Sequence, residues 1–320
     1  MIQTPIGDSC PACGSRQFRT LLRGTDRLYH TTQKTFFVVE CQGCQLLRMY
    51  PWPVLDELRT YYPDQYWFSA GESTAGRMEE IYRRFVLRDH VGFVMKAIEA
   101  AGPGPVLDAG AGGGLFPKML RERGVKAYGL DISPEAARIA WQRNTVPSFC
   151  GHLPSAPVKP GSLAVLTMFH VLEHLYDPSA YLQAAHDLLR PGGRIVVQVP
   201  NAASWQFLLF GEAWNGIDLP RHLIDFRAKD LCALLEYCGF EIARMKYFSL
   251  RDNPAGLASS IAPGLDPMAR RVRRVKETNG MRLLKDVVYL GLVLGAVPFT
   301  LLEAACRAGS TVMVEARKKG

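Results

Sequence analysis

Three sets of side chains in this 320-residue chain have types and spacings that could do chemistry. The first is a pair of CxxC turns, Cys10 with Cys13 and Cys41 with Cys44. Four thiolates close a tetrahedral zinc site and leave no open position, so they predict structural metal binding; a segment with little core of its own can draw its folding free energy from the ion. A redox pair and incidental free thiols are the alternatives. The second set is Asp108 followed by Gly110, Gly112 and Gly114, with Asp131 twenty-one residues beyond Gly110. Glycines let the backbone turn tightly and let a ligand lie against it, and a carboxylate at the end of the next strand can accept from both hydroxyls of a ribose. Together they predict a nucleotide-cofactor cradle. The third set is His170, His174 and His222, candidate general bases for which core or hydrogen-bonding histidines are the plain alternative. His170-x-x-Glu173-His174 also fits the inverted zinc-protease pattern, a reading set aside because it follows directly on a predicted strand and no third ligand is evident.

The elements needed to position these groups are legible as alternating strands and helices. Val106-Leu107 forms a short buried strand, and Leu115 to Arg123 has helical spacing until Gly124 stops it. Val125 to Leu130 is a second strand. Ser133 caps the next helix, with Pro134 and Glu135 in its first turn, over Ala136 to Arg143. A third short strand surrounds Ser148-Phe149-Cys150, and Leu163 to Met168 is a continuous apolar run, as a central parallel strand requires. Asp177-Pro178 caps a helix through Leu189, Arg190 to Gly193 makes a turn, and Arg194 to Asn201 is the fifth strand. Trp214 to Leu223 is a loop over the site, followed by helix Lys229 to Cys238, strand Phe240 to Phe248 and a final strand at Thr311 to Arg317. Upstream, Tyr50-Pro51-Trp52-Pro53 is a stiff connector, Leu55 to Tyr62 is helical, Tyr66-Trp67-Phe68 adds aromatic rings, and Met78 to Ile98 is a helix ended by Gly102-Pro103-Gly104.

The glycine motif with Asp108, the acidic Asp131, the Phe169 to Leu175 segment and Leu189-Arg190-Pro191-Gly192-Gly193 together resemble class I S-adenosylmethionine (SAM) methyltransferases of the type 11/23 kind with an N-terminal four-cysteine zinc ribbon. The resemblance covers about residues 105 to 248. It implies an α/β fold, a seven-stranded, doubly wound, Rossmann-like sheet with an antiparallel last strand. The implied boundaries are 1–50 for the ribbon, 51–104 for an aromatic linker and helical cap, and 105–320 for the methyltransferase domain. It further implies that Asp108 helps hold the methionine ammonium, that Asp131 takes the ribose, and that Ile132, Leu153 and Phe169 line the cofactor pocket. Where the family commonly has an Asp for the adenine amino group this chain has His152, so a backbone contact is the substitute. The implied reaction is methyl transfer to a small-molecule, saccharide or lipid-linked acceptor. An RNA methyltransferase using the ribbon to hold RNA, a non-catalytic SAM-binding protein and an NAD enzyme are the rivals. No Asn-Pro-Pro-Tyr-type motif follows the fourth strand, which weighs against RNA.

Composition sets the remaining bounds. A formal charge of +8 permits an anionic partner without choosing one, and 48% hydrophobic residues allow an ordinary core. The first eight residues have neither a basic nor an apolar region, which predicts a cytoplasmic protein. Near the C-terminus, Arg270, Arg271, Arg273, Arg274, Lys276, Arg282 and Lys285 precede an apolar run, Val287 to Leu302, that contains Pro298. This insertion, at about 266–305, is read either as a helix packed on the domain or as a peripheral contact with the inner face of a membrane through 270–302.

Overall fold

The structure, a computed structural model, describes residues 9–63 and 74–319, with side chains of the second segment from 79 onward. Tyr66-Trp67-Phe68 lies outside the described residues. Three antiparallel strands open the chain, β1 (Phe18–Gly24), β2 (Phe36–Cys41) and β3 (Leu47–Tyr50). Two helices follow, α1 (Leu55–Thr60) and α2 (Thr74–Ala101). The main sheet then builds from β4 (Val106–Ala109), α3 (Leu115–Arg121), β5 (Ala127–Asp131), α4 (Pro134–Gln142), β6 (Ser148–Cys150), β7 (Leu163–Phe169), α5 (Pro178–Leu188) and β8 (Leu189–Pro200). β4 is buried along its whole length and β7 as far as Met168, which is why their sequences are apolar without alternation. Caps fix the helix starts: Ser133 accepts from Ala136 N at 3.2 Å and Asp177 from Ala180 N at 2.9 Å.

The expected turn at Arg190 to Gly193 lies inside β8. Leu189 already pairs with Leu163, and the step from Leu163 to Val165 on β7 is matched by Leu189 to Arg194 on β8. The extra residues are absorbed as an irregularity, so α5 ends one residue earlier than its periodicity suggests.

After β8 come α6 (Trp205–Phe210), the two-residue β9 (Ile224–Asp225), α7 (Ala228–Tyr237) and β10 (Phe240–Lys246). The expected insertion folds as α8 (Asn253–Ile261), α9 (Pro267–Val272) and α10 (Asn279–Ala305) before β11 (Thr311–Lys318). Pro298 does not end α10, which runs for 27 residues or about 40 Å. The seven-stranded order is β10-β11-β8-β7-β4-β5-β6, with β11 antiparallel to both neighbours, as the sequence predicts. One face carries α2 and α3 through Leu87, Val91, Val94 and Leu120, and the other packs Leu166 and Ile195 against Leu182 and Leu231. The strand order reverses at β4, which lies between β5 and β7, so the crevice beyond their carboxyl ends is the place such a sheet binds ligands.

A second sheet has the order β1-β2-β3-β9. Its last strand is borrowed from the loop beyond β8, with Leu47 opposite Asp225 and Arg48 opposite Ile224. The N-terminal strands and the loop over the crevice are therefore one hydrogen-bonded structure.

Candidate active site

Two glycines of the turn after β4 have separate reasons. Gly110 has φ +80°, and a Cβ there would lie 2.5 Å from Val171 Cγ2, so packing alone requires it. Gly112 has φ +53°, and a Cβ there would meet nothing within 4 Å. Its backbone is thus open to an approaching molecule. The turn is held by Gly110 N and Ala111 N, which donate to Leu130 O at 2.7 and 3.0 Å. Asp131 braces it from the other side: its carboxylate accepts from Gly112 N at 2.8 Å and Ser133 N at 2.9 Å. Each oxygen retains a second lone pair. Asp108 is buried and accepts from Thr167 Oγ1 at 2.6 Å, and burial pushes its pKa up to about 7. A cationic ligand would draw such a carboxyl back to its ionised form.

The other predicted cofactor residues divide by burial. Ile132 presents an apolar side chain that is 56% exposed at the end of β5. His152 Nδ1 lies 2.7 Å from Tyr181 Oη. Leu153 is fully buried and its side chain packs in the core. Phe169 stands edge-on to Phe116 and His90, with centroids 5.0 and 4.9 Å away.

Of the three histidines, His170 departs from the expectation of a base. Its Nδ1 meets Glu173 Oε1 at 3.0 Å, and its Nε2 lies 2.8 Å from the Gln198 amide nitrogen and 3.5 Å from Asp252 Oδ2. Burial alone would lower its pKa, but the charges of Asp252 and Glu173 raise it to about 9. Charged, with Nδ1–H on Glu173 Oε1 and Nε2–H turned toward Asp252 Oδ2, it has no lone pair to offer; the Gln198 amide nitrogen, itself a donor, is a neighbour of that cation and not its acceptor. His174 and His222 come from different parts of the chain yet lie with ring centroids 4.7 Å apart. His174 Nδ1 lies 3.0 Å from Arg221 O and 2.9 Å from Tyr62 Oη, and His222 Nδ1 lies 2.8 Å from Gly216 O. A carbonyl only accepts, so both rings donate through Nδ1, and in the neutral ring the remaining lone pair is on Nε2.

What brings His222 to this place is Arg221, which sequence reasoning put in the loop over the site without giving it a role. Its guanidinium is fully buried, pairs with both oxygens of Asp26 at 2.8 and 3.1 Å and with Asp218 at 2.7 Å, and stacks 4.5 Å from the centre of the Tyr29 ring. Burial alone would raise the Asp26 pKa, but Arg221 holds it down at about 2. Trp52 Nε1 donates to Leu223 O at 3.2 Å, which ties the linker to the same loop.

At the far end of β2 the four predicted metal ligands converge. Cys10 and Cys44 sulfurs are 3.5 Å apart, as are those of Cys13 and Cys41, and all four lie within 4.8 Å of one another. Tetrahedral zinc with Zn–S near 2.3 Å places its sulfurs about 3.8 Å apart, so the set fits the ion.

A family profile described as a methyltransferase domain matches residues 78–244, just over half of the chain. A ubiquinone biosynthesis O-methyltransferase from Xanthomonas euvesicatoria is 28% identical over 47% of this chain and 67% of its own length. A malonyl-[acyl-carrier protein] O-methyltransferase from Serratia marcescens is 32% identical over 44% of this chain and 55% of its own. The match thus spans between about half and two thirds of these relatives. A crystal structure of a SAM-dependent methyltransferase from Archaeoglobus fulgidus aligns over 77% of this chain and all of its own at 17% identity, with a TM-score of 0.49. The profile match and the seven-stranded order with its antiparallel β11 agree, and the chain belongs to the class I SAM-dependent methyltransferases.

Proposed function

We propose that this enzyme transfers the methyl group of SAM to a small-molecule, saccharide or lipid-linked acceptor held beneath the Trp214 to Leu223 loop. The observation that carries the reading is the open backbone at Gly112, flanked by Asp108 and Asp131 and set at the same sheet edge as His174 and His222. In an in-line displacement, the acceptor lone pair forms the new bond to carbon while the C–S electron pair returns to sulfur. Most of the acceleration comes from holding the nucleophile opposite the sulfonium, with a base needed only where the acceptor must lose a proton. His174 and His222 are the side chains with a lone pair for that task. Both curated relatives reported above are O-methyltransferases by name, which supports an oxygen acceptor. Labelled methyl from SAM should enter the lipid, glycan or small-molecule fraction of a cell extract; entry into RNA would overturn the assignment.

The four cysteines are proposed to hold one structural zinc. The ribbon contributes β3 and Asp26 to the site loop, which supports a structural role for it over an RNA-binding one.

Lipid contact is proposed through α10. Only Val293, Ala296, Thr300 and Glu303 of this helix are buried, while Leu283, Leu284, Val287, Leu294 and Leu302 are exposed. The basic cluster is weaker than its sequence suggests. Arg270 is buried against Glu277 and Asp286, Lys285 pairs with Glu277, Arg271 lies 3.7 Å from Glu79, and Arg273 donates to Leu28 O and Arg27 O. Arg274, Lys276 and Arg282 are the exposed ones. At about 1 kcal/mol per cation near an anionic surface, the apolar flank must supply most of the attraction. Flotation should therefore occur with both neutral and anionic liposomes and be only modestly stronger with the latter. Absence of flotation with either would remove lipid contact from the account.

A further inference from the structure

The turn after β7 holds a carboxylate whose bonding is only half accounted for. Glu173 is 1% exposed; its Oε1 is engaged by His170 Nδ1, but its equally buried Oε2 has no hydrogen-bond partner among the described residues. A buried ionised oxygen without a partner is costly, and something with a positive charge or a proton is needed there. Beside it are the two imidazoles whose Nδ1 protons are committed to backbone carbonyls and whose Nε2 lone pairs are open. One donor atom from each of Glu173, His174 and His222 lies within 4.8 Å of the others. Asp225 is buried nearby with neither carboxylate oxygen hydrogen-bonded among the described residues, and burial together with the charge of Glu173 pushes its pKa up to about 8, so it stays largely protonated and Glu173 carries the negative charge of the site.

We infer that Glu173, His174 and His222 form a divalent-cation site in the acceptor pocket, distinct from the four-cysteine cluster. Two imidazoles and one carboxylate favour a zinc-class ion and leave coordination positions open for an oxygen ligand. With metal–ligand bonds near 2.1 Å the donors sit about 3.4 Å apart, so closing the set asks for side-chain adjustments on the order of an ångström. The surroundings are those of a metal centre: each imidazole is oriented by an Nδ1–H bond to a carbonyl, and the carboxylate is held by His170. The His170-x-x-Glu173-His174 spacing is not itself the ligand set, because His170 turns to Asp252 and Gln198 and the third ligand arrives from the loop carried by Arg221.

This inference deepens the methyltransferase reading and rests on it for its chemistry. With both Nε2 lone pairs given to the ion, neither imidazole would serve as the base; an acceptor hydroxyl held by the ion would ionise with its proton passing to solvent, its oxygen would form the C–O bond to the methyl carbon, and the C–S pair would leave on sulfur as the neutral thioether. The acceptor class becomes hydroxylated molecules that can present an oxygen to a cation.

The test is manganese titration of the full chain with its cysteine-bound metal in place, followed by electron paramagnetic resonance, since Mn²⁺ does not compete for thiolates. One Mn²⁺ per chain is expected, with nitrogen couplings from imidazole. Glu173→Gln keeps an oxygen for His170, and His222→Asn keeps a donor for Gly216 O; each should weaken binding by about tenfold or more. Circular dichroism checks that both variants fold. A folded wild type that takes up neither Mn²⁺ nor a second zinc, or folded variants that bind as tightly as wild type, would overturn the site. SAM calorimetry on the same protein separates the two ideas: manganese binding without SAM binding would keep the site and sink the methyltransferase reading.

Discussion

Arg221→Ala is expected to destabilise the protein by about 3–5 kcal/mol, because it leaves Asp26 buried without its cation. The pH dependence should change sign with it. In the wild type the Asp26 pKa is held at about 2, below its ordinary value, so the stability contributed by the pair is present above about pH 4 and lost as pH falls toward 2. In the variant, burial without Arg221 raises the Asp26 pKa, and stability should improve as pH falls from 7 toward 5. Denaturant titrations at pH 7 and pH 5 check both statements. A loss below about 1 kcal/mol at pH 7 would mean that the pair behaves like an exposed one. Arg221→Lys should fall between, since an ammonium cannot reproduce the two-pronged contact with Asp26 while also meeting Asp218.

Cys41→Ser should have a second large effect that spreads beyond the ribbon. Structural zinc contributes on the order of 10 kcal/mol to folding of small zinc modules, and the ribbon has little else at its tip. Elemental analysis should show the loss of the one zinc that resists chelators. Because β2 carries Cys41, pairs with β3, and β3 pairs with β9, the loop bearing Arg221 and His222 should loosen as well, with faster amide exchange at Leu223 to Asp225. Fresh, well-folded wild type that contains no zinc would remove this account of the cysteines.

The parts of the structure legible in the sequence are those set by local rules. Continuous apolar runs gave away β4 and β7, Ser133 and Asp177 announced their helices, and the glycines after Asp108 marked the cradle. The contacts that assemble the acceptor side were not legible, because no local rule connects their members. Asp26 and Arg221 are 195 positions apart, and neither sits in a pattern that advertises a buried pair. β9 has two residues, too few for alternation to show, and exists because the β3 edge is there to receive it. His174 and His222 were each visible as candidates, but their proximity follows from that borrowed strand. The insertion shows the converse: seven cations in sequence suggested a strongly basic face, whereas Glu277, Asp286, Glu79 and two backbone carbonyls engage four of them.

The central claim is that SAM lies against the backbone at Gly112, and calorimetric titration of SAM into wild type and Gly112→Val tests it most directly. A Cβ at this position would meet no protein atom within 4 Å, and the positive φ costs about 1–2 kcal/mol or more for a β-branched residue, so circular dichroism accompanies the titration to check that the variant folds. A ligand in the cradle would meet that side chain directly. The account predicts one SAM bound per wild-type chain and an affinity lower by about a hundredfold, some 2.7 kcal/mol, in the variant. Undiminished SAM affinity in folded Gly112→Val, or no SAM binding by the wild type, would contradict it.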